Sequence, residues 1–139
     1  MATYFVYSGA AGTNSGADWT NAYTAFGSAV TAATAAGDVI KVHKTHQENL
    51  GATTTYTLAA NVRIICVDKD ASDALDTMGT GGWIGHNTTG RQITITGTDL
   101  DSTLELTVPA MVPAPAAPFL VPLTVLQDFT KACGANETT

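Results

Sequence analysis

Three stretches of the sequence hold side chains whose types and spacing could do chemistry. His43, His46 and Glu48 form H-x-x-H-x-E, a set of imidazole and carboxylate donors of the kind that binds zinc. Side chains on a strand alternate between faces, so His43 points away from His46, and a shared ion would need a loop to turn them together. No third or fourth ligand is placed to help. Two solvated loop histidines are therefore expected, and no metal site is assigned.

Asp68, Asp70, Asp73 and Asp76 admit a calcium loop or a carboxylate pair acting on glycosides or uronates. The stretch lacks the D-x-D-x-D-G spacing and distal Glu of an EF-hand, and Lys69 sits among the acids. A solvated turn is the expectation. Gly79-Thr80-Gly81-Gly82-Trp83-Ile84-Gly85 has the glycines of a phosphate cradle but not its Lys-Ser/Thr, nor the strand-then-helix context. It reads as a tight corner with Trp83 filling the core. No Ser-His-Asp order or Cys-His pairing carries supporting motif residues. The sequence assigns no catalytic residue, no metal and no cofactor, and predicts a protein that is not an enzyme.

The elements that must position these residues belong to one domain's worth of chain, 139 residues. Charged residues make up only 13%, and Lys+Arg 6 against Asp+Glu 12 gives a formal charge of −6. That balance repels a phosphate backbone, so no nucleic-acid partner is expected. The neutral surface suits a subunit packed against its own copies or another protein. The residues from Met1 to Ser8 lack a basic region followed by an apolar run and do not read as a signal peptide, so synthesis in a host cytoplasm is expected. Val108 to Leu126 is the most apolar stretch but contains all 5 prolines, which bars an unbroken membrane helix. Cys66, inside Val62-Arg63-Ile64-Ile65-Cys66-Val67, reads as a buried thiol rather than a partner of Cys133. The sequons at Asn87 and Asn136 mean little without a secretory signal.

Tyr4 to Tyr7 is a short β-branched and aromatic strand, followed by a Gly/Asn loop. Asp18 is placed to cap a helix whose apolar stripe is Trp19, Tyr23, Phe26, Val30 and Ala33, with Gly37 as its stop. Strands are then predicted at 39–42, 54–58, 62–67, 83–84, 92–96 and 104–108. Ile40, Ile64 and Ile93 recur at a loose interval, the pattern of stacked coils that bury an apolar face only against a neighbour.

The run YFVYSGAAGTNSGADWTNAYTAFGSAVTAATAAGDVIKV resembles the N-terminal cap of right-handed parallel β-helix proteins of the pectate-lyase-like kind. Its marks are Asp18-Trp19 with Ala22-Tyr23, and the Gly37-Asp38 turn into the first coil. VRIICVDKDASDAL and GGWIGHNTTGRQITITG are similar to the second and third coils of versions that tailed bacteriophages encode among their virion proteins. The resemblance covers residues 3–97. It implies a mainly β fold: a short right-handed parallel β-helix-like stack with an N-terminal amphipathic capping helix. Since the fold carries lyases, hydrolases and inert fibres alike, it implies no particular activity.

Residues 1–108 are thus read as the capped β-helix-like domain, and 109–139 as a Pro-rich arm with a short C-terminal helix. The arm resembles nothing placed. Proline favours extended chain there, and an extended apolar strip suits docking. Met111, Pro113, Phe119, Leu120, Val121, Leu123 and Phe129 are the candidate partner-binding residues; packing of the arm on the chain's own last coil is the equal alternative. The functional expectation is a non-enzymatic bacteriophage virion protein that decorates the capsid or associates with the head. Its expected partners are copies of itself, for example in a trimer, and other virion proteins such as the major capsid protein, without membrane or nucleic acid. The alternatives are a tail-associated carbohydrate-binding or depolymerase protein, with Trp83 and the acids at 68–76 lining a groove, and a self-assembling extracellular filament subunit.

Overall fold

A computed structural model of the chain describes residues 1–50, 52–59, 61–67, 83–86, 92–97, 104–107 and 119–122. They form β1 (Thr3–Val6), α1 (Phe26–Ala32), β2 (Val39–His43), β3 (Gln47–Asn49), β4 (Thr54–Leu58) and β5 (Arg63–Val67). After these come β6 (Trp83–His86), β7 (Gln92–Gly97), β8 (Leu104–Thr107) and β9 (Phe119–Pro122). The fold is mainly β and built on parallel pairs. β2, β3 and β4 each belong to a different sheet, and β5, β6 and β7 then pair with them in the same order, all parallel. β1 lies on the other side of β2, also parallel.

The strands form because their alternating β-branched residues bury one face and leave the other polar. In β2, Ile40 and Val42 are buried while Val39, Lys41 and His43 are only partly so. Register then stacks like on like. Tyr4, Ile40 and Ile64 make one inward ladder, and Val6, Val42 and Cys66 the next. Tyr56 and Leu58 of β4, Ile84 of β6, and Ile93 and Ile95 of β7 complete the core. Cys66 is a fully buried thiol.

The isoleucine interval is only half right. Ile40 pairs with Ile64, but Ile93 pairs with Thr54 in another sheet. Within the segments that resemble a second and a third coil, β5, β6 and β7 each pair with a strand of a different sheet. Loops of different length between strands disguise the period. Parallel pairing stops after β7: β8 runs antiparallel on β7, and β9 antiparallel on β6.

The helix is shorter than its apolar stripe predicts, and it begins at Phe26 instead of Asp18. The preceding residues are spent on the outer edge of β1. Phe5 N–H donates to Gly16 O at 3.0 Å, Tyr23 N–H to Phe5 O at 2.8 Å, and Tyr7 N–H to Tyr23 O at 2.8 Å. An edge that would otherwise invite pairing is covered. Asp18 caps only a local turn, its Oδ1 accepting from Asn21 N–H at 2.8 Å. Phe26, Ala29, Val30 and Ala33 remain on the buried side and pack over the core. No helix among the described residues is long and apolar enough to cross a membrane.

Two glycines hold this N-terminal segment in shape for different reasons. Gly16 has φ of 73° and Gly37 has φ of 85°. A Cβ on Gly16 would collide with the Tyr23 ring, whereas one on Gly37 would meet only the Met1 side chain at 3.6 Å. Gly37→Ala should therefore cost the left-handed penalty alone, about 1 kcal/mol. Gly16→Ala adds displacement of a ring that anchors the β1 edge and should cost about 2 kcal/mol. Urea unfolding of both variants checks the ranking, which equal costs would contradict.

Candidate functional site

His46 is wholly buried, contrary to the expectation of a solvated loop residue. Its Nδ1 accepts from Ser8 N–H at 3.0 Å, and its Nε2 lies 3.3 Å from Glu48 Oε2. An Nδ1 that accepts carries no proton, so the proton sits on Nε2 and donates to Glu48. The same Glu48 oxygen accepts Phe26 N–H, the first amide of α1, at 2.8 Å. Gln47 N–H donates to Ser8 Oγ at 3.0 Å. This small network ties the end of β1, the strand β3 and the start of α1 together. It is a joint rather than a metal site.

His43 is engaged elsewhere. Its ring stacks on Tyr7 with centroids 4.2 Å apart, and Trp19 meets it edge-on at 5.4 Å. Trp19 also contacts Phe5 edge-on at 4.9 Å, and Lys41 Nζ stands 5.8 Å from the Phe5 centroid. Partial burial holds the Lys41 ammonium below the usual lysine range. A face of stacked rings could receive a sugar, but Trp19 is only 6% exposed and Tyr7 and His43 cover each other. The cluster closes the outer face of β1 and β2. Among the described residues no group of three His, Cys, Asp or Glu side chains comes together to hold a metal.

Among the described residues, Asp38 is the other buried polar side chain. Its Oδ1 accepts from Ala2 N–H at 2.6 Å and its Oδ2 from Ala35 N–H at 3.0 Å. Burial opposes ionisation, but the amides of Ala2 and Ala35, the N-terminal ammonium and the Thr34 amide outweigh it, leaving the carboxyl below its ordinary 3.8. A lowered folded value means that the carboxylate contributes stability above the ordinary value and loses it as pH falls through the folded one. Asp38→Asn should cost about 1–2 kcal/mol at neutral pH. The difference from the parent should shrink as the solution is acidified below about pH 4; unfolding curves across that range check it.

A groove of about 400 Å³ opens between α1 and β4, lined by Gly27, Val30 and Thr31 on the helix and by Thr54, Thr55, Tyr56 and Thr57 on the strand. No charged side chain lines it. Tyr56 is buried under the helix with its ring edge-on to Phe26 at 5.0 Å. Burial, and then the Glu48 charge, push its phenol above the usual range. β4 is the first strand of its sheet; among the described residues it pairs only with β7. Its outward Thr55 and Thr57 are exposed and stand beside Thr94 and Thr96 of β7, a run of hydroxyls and methyls that ends at Glu105 of β8, the register partner of Thr94.

No family model, curated protein or solved structure matches this chain. Of the candidate partner-binding residues, Phe119, Leu120 and Val121 lie in β9, opposite His86, Gly85 and Ile84. Part of the presumed arm is thus a strand on the chain's own sheet. Pro122 ends it on an outermost strand, where a missing N–H is tolerated. Met111, Pro113, Leu123 and Phe129 lie outside the described residues, as do Cys133, Asp68, Asp70, Asp73 and Asp76. The groove and the β4 edge escaped sequence reading because Gly27, Thr31 and the threonines of β4 carry no motif.

Proposed function

We propose that the chain is a non-enzymatic structural subunit of a bacteriophage virion, a capsid-decorating or head-associated protein working through protein–protein contacts. On this reading β2, β3 and β4 are one coil of a short β-helix and β5, β6 and β7 the next, with β1 and α1 as the cap. The observation that carries it is the flank of β4: a strand edge beside an uncharged groove, on a surface of threonines. A strand edge is a template for another chain, and threonines beside it bring no charge that contact would have to desolvate. The likeness of residues 3–97 to phage β-helix virion proteins supplies the setting.

Mass spectrometry of purified bacteriophage particles tests the proposal. The chain is expected at a fixed ratio to the major capsid protein; its absence from particles would overturn the assignment.

A further inference from the structure

We propose that His46 is a proton-operated latch: a second proton on its ring releases the loop that follows β1 from the start of β3, while the contact of β3 with α1 stays closed. The inference concerns regulation and does not depend on where the chain works. It begins from what each ring nitrogen already does. Nδ1 accepts from Ser8 N–H at 3.0 Å, and Nε2 carries the single proton and faces Glu48 Oε2 at 3.3 Å. A second proton can go only to Nδ1. There it meets an amide hydrogen instead of a lone pair, and since an N–H has no acceptor capacity, no rotation of either group restores the bond. Ser8 Oγ is already engaged, accepting from Gln47 N–H at 3.0 Å. The ring is wholly buried, so water takes the place of Ser8 only once the loop has moved.

The two sides of the ring respond in opposite ways. On the Nε2 side an imidazolium is drawn more strongly to the Glu48 carboxylate, whose Oε2 still holds Phe26 N–H at 2.8 Å. The disruption therefore falls on Ser8. The loop beyond it is held within itself, Ala10 N–H donating to Tyr7 O at 3.1 Å and Gly12 N–H to Thr20 O at 3.0 Å, so it leaves as a piece. The open state frees Nδ1 and binds one proton more than the closed state. Acid favours the state that binds more protons.

His43 marks the contrast. Its Nδ1 also accepts, from Thr45 N–H at 3.1 Å, and lies 2.8 Å from Thr45 Oγ1. That hydroxyl can turn and become the acceptor, and Thr45 is exposed, so its amide has water to turn to. Protonating His43 breaks nothing that cannot be remade. Among the described residues the other titratable groups near His46 are Glu48 on the strand that follows it, Lys44 in the turn that leads into it, and Tyr7 at the end of β1, whose ring is stacked on His43. Tyr56 of β4 feels the Glu48 charge. α1 has no titratable residue, and β6 sets Trp83, Ile84 and Gly85 against Gln47, Glu48 and Asn49. Of these groups Glu48 is the one hydrogen-bonded to the His46 ring.

Amide exchange on the full chain, expressed at each pH as protection relative to a free amide, tests the latch between about pH 8 and about pH 5, where imidazole ordinarily changes charge. Ser8 should lose at least about tenfold in protection across that span, since one proton taken up on opening allows up to about tenfold per pH unit. Phe26 should keep its protection. His46→Asn, which retains an acceptor for Ser8 but takes up no proton, should hold Ser8 protected throughout, and Glu48→Gln should still release it in acid. Isotope labelling of the histidine rings follows the proton in the unaltered chain: Nδ1 of His46 should gain it over the same pH interval in which Ser8 loses protection. The proposal is overturned if Ser8 is as protected in acid as at neutral pH, or if Nδ1 gains its proton with Ser8 still protected. It is equally overturned if His46→Asn releases Ser8 as the parent does, if Glu48→Gln abolishes the release, or if the Phe26 amide is released together with Ser8.

Discussion

Phe26→Ala is expected to lower the unfolding free energy by about 3–5 kcal/mol, the largest effect of any single truncation considered for this chain. Phe26 is fully buried at the start of α1, between the helix and the sheet core. Truncating it removes the ring that meets Tyr56 edge-on at 5.0 Å, an aromatic pair worth about 0.5–1.5 kcal/mol beyond its buried area. It also leaves a void under a helix too short to hold itself together, since seven residues are well below the length at which a helix persists alone. The loss would be a large fraction of the ~5–15 kcal/mol that holds a typical domain folded. Urea unfolding followed by far-ultraviolet circular dichroism measures it, with exposed Thr31→Ala as the control, expected to change stability by no more than about 0.5 kcal/mol. A cost below about 1 kcal/mol for Phe26→Ala would show that α1 does not pack as described.

His46→Leu should cost about 3 kcal/mol, although leucine fills a similar volume. The loss is polar. Ser8 N–H is left without its acceptor, and Glu48 loses a donor while still holding Phe26 N–H. A stranded buried donor costs about 1–3 kcal/mol, more than the bond itself contributed. His46→Asn should recover part of the loss, since its amide oxygen can sit where Nδ1 accepted from Ser8. Amide exchange separates this from simple packing. The Ser8 amide should exchange much faster in the leucine variant and stay protected in the asparagine one. Equal protection in both would mean that the histidine acts as a space-filler.

These two residues also show how far the sequence could be read. Phe26 was legible as a core residue, because the spacing Phe26, Val30, Ala33 marks an apolar helical face whatever the tertiary context. His46 was not. Nothing in H-x-x-H-x-E says that Ser8, far away in the chain, will present its amide to the ring, so a polar side chain in a polar stretch reads as solvated. The same limit hid β3, whose Gln47-Glu48-Asn49 has little strand preference and becomes a strand only by lying beside β6. It hid β9 too, where proline argued for an arm and pairing with β6 made a strand. Trp19 and Tyr23 fitted a helical stripe by spacing, but the bonds their segment makes to β1 outweigh local preference.

Local sequence sufficed for the class and composition of the fold: a weakly charged, threonine-rich, mainly β chain, most of its strands within a residue or two of their places, one helix face, and a buried Cys66. Those features follow from side-chain alternation and turn chemistry, which act between near neighbours. Tertiary pairing alone settles which strand lies beside which, and that a groove lies between α1 and β4, which among the described residues pairs only with β7. Pairing joins residues far apart in the chain through backbone groups that every residue shares, and such groups leave no signature in the order of side chains.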